Sequence, residues 1–324
     1  MKQELFEQHH RPQWEAFARQ LDALERTRRR QRDPVTGFAE SYRELCHHLA
    51  LAQERRYSPH LIDYLNQLAL RGHQQLYQSH HNVWHYMVQF ILLEFPLACR
   101  REWRFIAVSA VLFFGSLLIM AAATYHHPSL VFSVYPDTAV EDFTRMYDPA
   151  SKALQDEKRD AGDDFTMFGF YIKNNIGIGF QTFASGFLLG LGALFNLLFN
   201  GIAIGAVMGY LTERGFGVTF YPFVIGHGAF ELTGIAIAGA AGLKLGYGLL
   251  SPGRLSRKQS LINAAREAMP LVYGMFFLLL LAAFVEAFWS SSSRLPDLVK
   301  YLAGSGFWLL VLAYLGSGAR RGSG

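Results

Sequence analysis

Between Lys173 and Glu213 the chain runs for 39 residues without a charge. As one α-helix this run would be about 58 Å long at about 1.5 Å per residue, nearly twice the hydrocarbon core of a bilayer. It is therefore expected to fold back, with two Asn and a Gly in "FNLLFNG" (195–201) marking the turn. In lipid such a run must satisfy its backbone polar groups internally, which dictates helices.

Other stretches repeat the pattern. "FIAVSAVLFFGSLLIMAAATY" (105–125) holds 21 uncharged residues, enough for one crossing. Six spans are expected in all, at about 105–125, 174–194, 197–212, 221–243, 268–289 and 300–318. A polar loop, 126–168, follows the first span with nine acidic and four basic residues. The expected fold class is all-α: a polytopic membrane protein with six transmembrane helices, an interfacial elbow helix and an N-terminal helical cytoplasmic domain.

The domain boundaries follow from a break in composition. Residues 1–104 carry fifteen Lys/Arg and twelve Asp/Glu, whereas long uncharged runs begin at 105. Residues 1–85 read as a helical domain, with Trp14, Phe17, Leu21 and Leu24 at three- and four-residue spacing. Residues 86–104 combine dense apolar side chains and Pro96 with Arg100, Arg101 and Arg104. They read as an amphipathic helix on the inner membrane surface, in contact with lipid, the alternative being a buried bundle helix. Residues 105–319 form the transmembrane domain.

Six spans put both termini on one side. Lys244, Arg254, Arg257, Lys258, Arg266, Arg320 and Arg321 then share that side, and the acidic loop lies opposite. The positive-inside rule makes the shared side cytoplasmic. The first twenty residues lack an apolar signal-peptide core. Cys46 and Cys99 indicate no disulfide framework. The net charge of +4 fits membrane topology and needs no nucleic-acid partner.

Twenty of the thirty glycines fall between 162 and 253. Gly186/Gly190, Gly201/Gly205/Gly209 and Gly242/Gly246 sit four residues apart, the spacing that lets membrane helices approach closely. They serve either packing within one subunit or a homodimer face. Asn174, Asn175, Asn196 and Asn200 bracket the second and third spans as polar glue or as the lining of a path.

"PFVIGHGAFELTG" (222–234) places His227 and Glu231 on one face of the fourth span. The pair reads as mutual structural partners or as a proton, ion or substrate site. A metal is not expected, because the spans offer no other His and no Cys. Paired histidines in the lead (His9/His10, His47/His48, and His80/His81 with His85) read as solvated or boundary residues, since adjacent positions face different sides of a helix. No catalytic residues, phosphate loop or dinucleotide fingerprint are read, and no cofactor is expected.

Four segments together resemble the stage II sporulation protein M family of integral membrane proteins. They are "EFPLACRREW" before the first span, "KNNIGIGFQTFASGFLLGLG" in the second, "FNGIAIGAVMGY" in the third and "GHGAFELTGIAIAGAAG" in the fourth. The resemblance covers about 85–290 and sets His227, Glu231, Asn174, Asn175, Asn200 and Gly201 on motif positions. It implies a bacterial inner-membrane protein. It also implies envelope partners, either cell-wall hydrolases or an AAA ATPase of the MoxR type. The histidine-rich lead departs from the family pattern and argues against a direct sporulation role. The expected function is a non-enzymatic, homodimeric membrane scaffold of the cell envelope. The alternative is a transporter or channel with a polar path at His227/Glu231. An intramembrane hydrolase would need a third ligand or a nucleophile beside His227.

Overall fold

The computed structural model describes residues 2–26, 37–77, 83–150, 161–292 and 295–317, all helical or loop. His80, His81, Arg320 and Arg321 lie outside the described residues. The chain divides into two compact units, Met1–Tyr86 and Met87–Gly324.

The first unit holds α1 (Gln3–Arg26), α2 (Phe38–Glu54) and α3 (Pro59–Tyr77). Trp14, Phe17 and Leu21 of α1 enter its core with Phe38, Leu45, Leu61, Leu65 and Leu68. The apolar spacing seen in the sequence thus lies on the faces that pack. His47 is exposed as expected, but His48 is buried. The Trp14 indole N–H donates to His48 Nδ1 at 3.2 Å, and the His10 ring packs on His48 at a tilt, 3.9 Å between centroids. Burial, with His10, His47 and His9 nearby, pushes the His48 pKa from 6.5 down to about 4.

The second unit begins within α4 (Val83–Gln89) and continues through a π-helical turn (Phe90–Glu94) into α5 (Phe95–Arg101). The expected single elbow is therefore broken by the π-turn and ends at Glu102. α5 buries Phe95, Pro96, Ala98 and Cys99 in the membrane bundle, while Leu92, Leu93, Leu97 and Trp103 stay exposed. The segment is thus buried on one face and exposed on the other. Arg101 is not only a surface base: its guanidinium bonds Glu102 and the Glu267 carbonyl, each at 2.9 Å. Arg104 lies over the Trp103 ring, and Arg100 is exposed.

Five uninterrupted helices among the described residues are long and apolar enough to cross a membrane. They are α6 (Trp103–His126), α10 (Leu191–Glu213), α11 (Gly217–Leu250), α12 (Arg257–Val285, prolonged by a π-turn over Glu286–Ser290) and α13 (Asp297–Ser317). A 3-10 turn (Pro128–Ser133) and α7 (Asp137–Tyr147) follow α6, and Val131 and Val140 pack on Tyr210, Leu211 and Phe220.

The second expected span is a composite rod. It comprises α8 (Ala161–Tyr171), a π-turn (Ile172–Ile176), α9 (Gly177–Ala184) and a 3-10 turn (Ser185–Phe187). Phe165 meets Phe288 at one end, and Gly186 meets the Gly242 backbone at the other. The rod thus runs antiparallel to α12 and parallel to α11 through the bundle, a sixth pass with interruptions.

The turn to α10 is not at 195–201. It lies at 188–190, where Leu189 and Gly190 adopt positive φ of 55° and 82°. Asn196 and Asn200 do not break the helix because each bonds one turn back, to the Gly192 and Asn196 carbonyls at 2.9 and 2.8 Å. Glycine supplies the left-handed position at far lower cost than other residues.

The glycine rows are used within one subunit. A Cβ on Gly201, Gly205 or Gly209 would reach α6 atoms at 2.1–2.3 Å. Gly186 approaches Gly242, and Gly246 approaches Gly190, at backbone distance. All seven are buried inside the chain, so these rows provide no dimer face. At the far end of α11, Lys244 Nζ binds Glu102 and Glu267, each at 2.7 Å, and ties α6, α11 and α12 together.

Two outcomes follow. Gly205→Ala forces a methyl onto the Leu117 carbonyl, 2.3 Å away, and should destabilise the protein by about 1–3 kcal/mol. Thermal unfolding in detergent measures this, and the oligomeric state should not change. For His48, the unfolded state binds a proton as pH falls through 6.5, while the folded state resists until about 4. Its contribution is complete above 6.5 and is lost progressively between 6.5 and 4. Hydrogen exchange of residues 37–77 in the full-length protein should show this slope flattened in His48→Gln.

Candidate functional site

His227 and Glu231 lie one helical turn apart on α11, the most enclosed helix of the bundle. His227 is 4% exposed, and the edge of Phe223 packs on its ring. Its Nδ1 is 3.1 Å from Ser290 Oγ. Its Nε2 is 3.8 Å from Glu231 Oε2, an ion-pair distance beyond hydrogen-bond length.

The third group is Glu286, on the π-turn that ends α12. One atom each from His227, Glu231 and Glu286 lies within 4.8 Å of the others. Glu286 Oε2 accepts from Asn175 Nδ2 at 3.4 Å, and Asn175 Oδ1 accepts from Asn174 at 3.1 Å. Asn175 lies on the π-turn of the composite rod. A π-turn inserts one residue into a helical turn and re-aims the side chains on it, a feature common at functional sites. Two such turns, from different helices, deliver Asn175, Glu286 and Ser290 to α11.

Neighbouring contacts explain how these turns come so close. A Cβ on Gly226 would strike the Trp289 ring at 2.4 Å, so glycine at 226 lets the α12 turn seat against α11 beside His227. Phe165 and Phe168 interlock with Phe284 and Phe288 and fix the composite rod to the end of α12. Lys300 Nζ donates to the Ser290 carbonyl at 3.0 Å and anchors the same turn to α13.

Of the expected polar residues, the structure brings His227, Glu231 and Asn175 together, with Asn174 behind Asn175. Asn196 and Asn200 instead serve the backbone of α10, and Asn196 also donates to Ser185. Glu286 and Ser290 were not singled out by the sequence. The case against a metal rested on the absence of a further ligand, and Glu286 supplies one. Chemically, an imidazole and two carboxylates offer three electron-pair donors to a proton or a metal cation.

These features define an all-α polytopic membrane protein with a buried polar site between its helices. The chain belongs to the Stage II sporulation protein M family, whose model matches residues 109–291, more than half of the sequence. That segment contains every member of the site. A second family, described as a domain of unknown function (DUF8413), matches residues 4–78 of the first unit. The uncharacterized protein MJ0793 of Methanocaldococcus jannaschii is 25% identical over 138 residues, which covers 42% of this chain and 74% of that protein. No solved structure matches.

The paired carboxylates give a direct stability test. Two like charges in an apolar bundle repel each other and are poorly solvated. With divalent ions removed by a chelator, Glu286→Gln should therefore unfold at a higher temperature than the unaltered protein, by about 1–2 kcal/mol equivalent. Differential scanning calorimetry over a rising pH series reads the change, which is expected where both carboxylates are ionised.

Proposed function

We propose that this protein is a membrane transporter or channel that passes protons or small cations through the His227–Glu231–Glu286 site. One observation carries this reading: two carboxylates and an imidazole from two helices face one another inside the bundle. A structural role would be served by one neutral hydrogen-bonded pair. Charged groups in a membrane are expensive to keep, and converging acceptors suit a positively charged visitor. The π-turns beneath Asn175 and Glu286 give the site local adjustability, as interrupted helices do in transporters. In this reading the basic α11–α12 loop and both termini are cytoplasmic, and Glu231 and Glu286 lie toward the outer side.

A scaffold role draws support from the exposed Leu92, Leu93, Leu97 and Trp103 beside Arg100, Arg101 and Arg104, a surface suited to the inner leaflet. A homodimer would need a face other than the glycine rows. The cell-wall hydrolase or MoxR-type ATPase partners suggested by the family resemblance would belong to this second role.

Reconstitution into liposomes separates the two. Transport predicts flux down an imposed proton or Zn²⁺/Mn²⁺ gradient, cut at least about tenfold by Glu231→Gln or Glu286→Gln, the range seen when groups around an ion site are lost. No flux of either ion, with vesicle shape altered instead, favours the scaffold.

A further inference from the structure

We infer that His227, Glu231 and Glu286 bind one divalent first-row transition-metal ion. The inference deepens the transport reading above and rests on it for the ion's role as cargo.

The geometry of the imidazole comes first. Nε2 stands too far from Glu231 for a hydrogen bond, whereas Nδ1 has Ser290 Oγ at 3.1 Å. With the proton on Nδ1, donated to Ser290 Oγ, Nε2 presents a lone pair to the carboxylates. That is the tautomer a metal requires. A hydrogen bond from the other ring nitrogen to a neighbouring group is the usual support for a ligating histidine.

The charge balance points the same way. Once a cation displaces their protons, the two carboxylates and the imidazole sum to −2, which one divalent ion cancels. The ion pairs of Arg71, Arg101 and Lys244 go to Asp22, Glu25, Glu102 and Glu267, away from Glu231 and Glu286. Lys300, the cation on the facing helix, is bonded to the Ser290 carbonyl. The ligand atoms lie within 4.8 Å, and small side-chain rotations would bring them onto an ion with bonds of about 2.0–2.2 Å.

Ser290 orients His227, and Asn175, itself held by Asn174, orients Glu286. Such partners fix a ligand's direction before an ion arrives. One nitrogen and two oxygens suit Mn²⁺, Fe²⁺ or Zn²⁺. Ca²⁺ and Mg²⁺ favour all-oxygen shells, and a copper(I) site would call for sulfur.

The test uses the full chain in lipid nanodiscs, stripped with chelator and dialysed against Zn²⁺, Mn²⁺, Mg²⁺ or Ca²⁺. Bound metal is measured by mass spectrometry. One Zn²⁺ or Mn²⁺ per chain is expected, with no comparable Mg²⁺ or Ca²⁺ uptake. Glu286→Gln and His227→Gln should each weaken binding at least about tenfold. Glu267→Gln, in the Lys244 cluster, should leave it unchanged. X-ray absorption on the unaltered protein needs no variant and should show one nitrogen and two oxygen protein ligands. No stoichiometric uptake, uptake indifferent to both site variants, or an all-oxygen shell overturns the inference. Binding is read without a gradient, so uptake without flux overturns transport and spares the site. Proton flux without metal uptake does the reverse.

Discussion

Close backbone contact at glycine is the constraint on which the bundle depends. Lipid offers no hydrophobic drive for one helix to join another, so association relies on tight packing and internal polar bonds. α11 is the centre of that packing. Gly186 and Gly190 of the rod and its turn sit against Gly242 and Gly246, Gly239 faces Leu197 and Ser109, and Gly226 admits Trp289. Ser109 also bonds the Ala236 carbonyl at 2.6 Å, a buried link from α6 to α11. With the helices so close, the middle of α11 is enclosed, from Gly226 through Gly242 for the most part. His227 and Glu231 therefore lie within reach of the α12 turn.

The two ends of α11 treat charge differently. At Lys244 the ammonium lies between Glu102 and Glu267, two carboxylates on one cation, with Arg101 adding to Glu102. This network is balanced by the protein itself. About 20 Å along the same helix, at about 1.5 Å per residue, Glu231 and Glu286 meet the His227 imidazole. One end is closed by its own salt bridges, and the other presents acceptors. That contrast, within one helix, distinguishes a structural cluster from a site.

Much of the fold was legible in the sequence because lipid imposes a simple rule. Uncharged runs of about 20 residues mark helices, and Phe105–Tyr125 needed no other information. His227 and Glu231 share a face because helical spacing requires it. Glu286 was legible only as a charge near the end of a span. Its partners lie 55 residues away at Glu231 and 111 away at Asn175, a separation that local pattern cannot join. The π-turns have no sequence signature. The turn before α10 was misplaced because asparagine resembles a breaker, yet in a helix it can bond the carbonyl four residues back. Gly190, the residue that does turn the chain, sat in the same run and carried the true signal.

The central claim is that Glu231 and Glu286 act on each other across two helices. A double-mutant cycle of Glu231→Gln and Glu286→Gln, read by unfolding free energy in detergent with chelator present, tests it directly. At a pH high enough to ionise both groups, the expected coupling is above about 0.5 kcal/mol, because either substitution alone removes the same repulsion. Additive effects within about 0.3 kcal/mol would contradict it and would mean that the two carboxylates do not share a site.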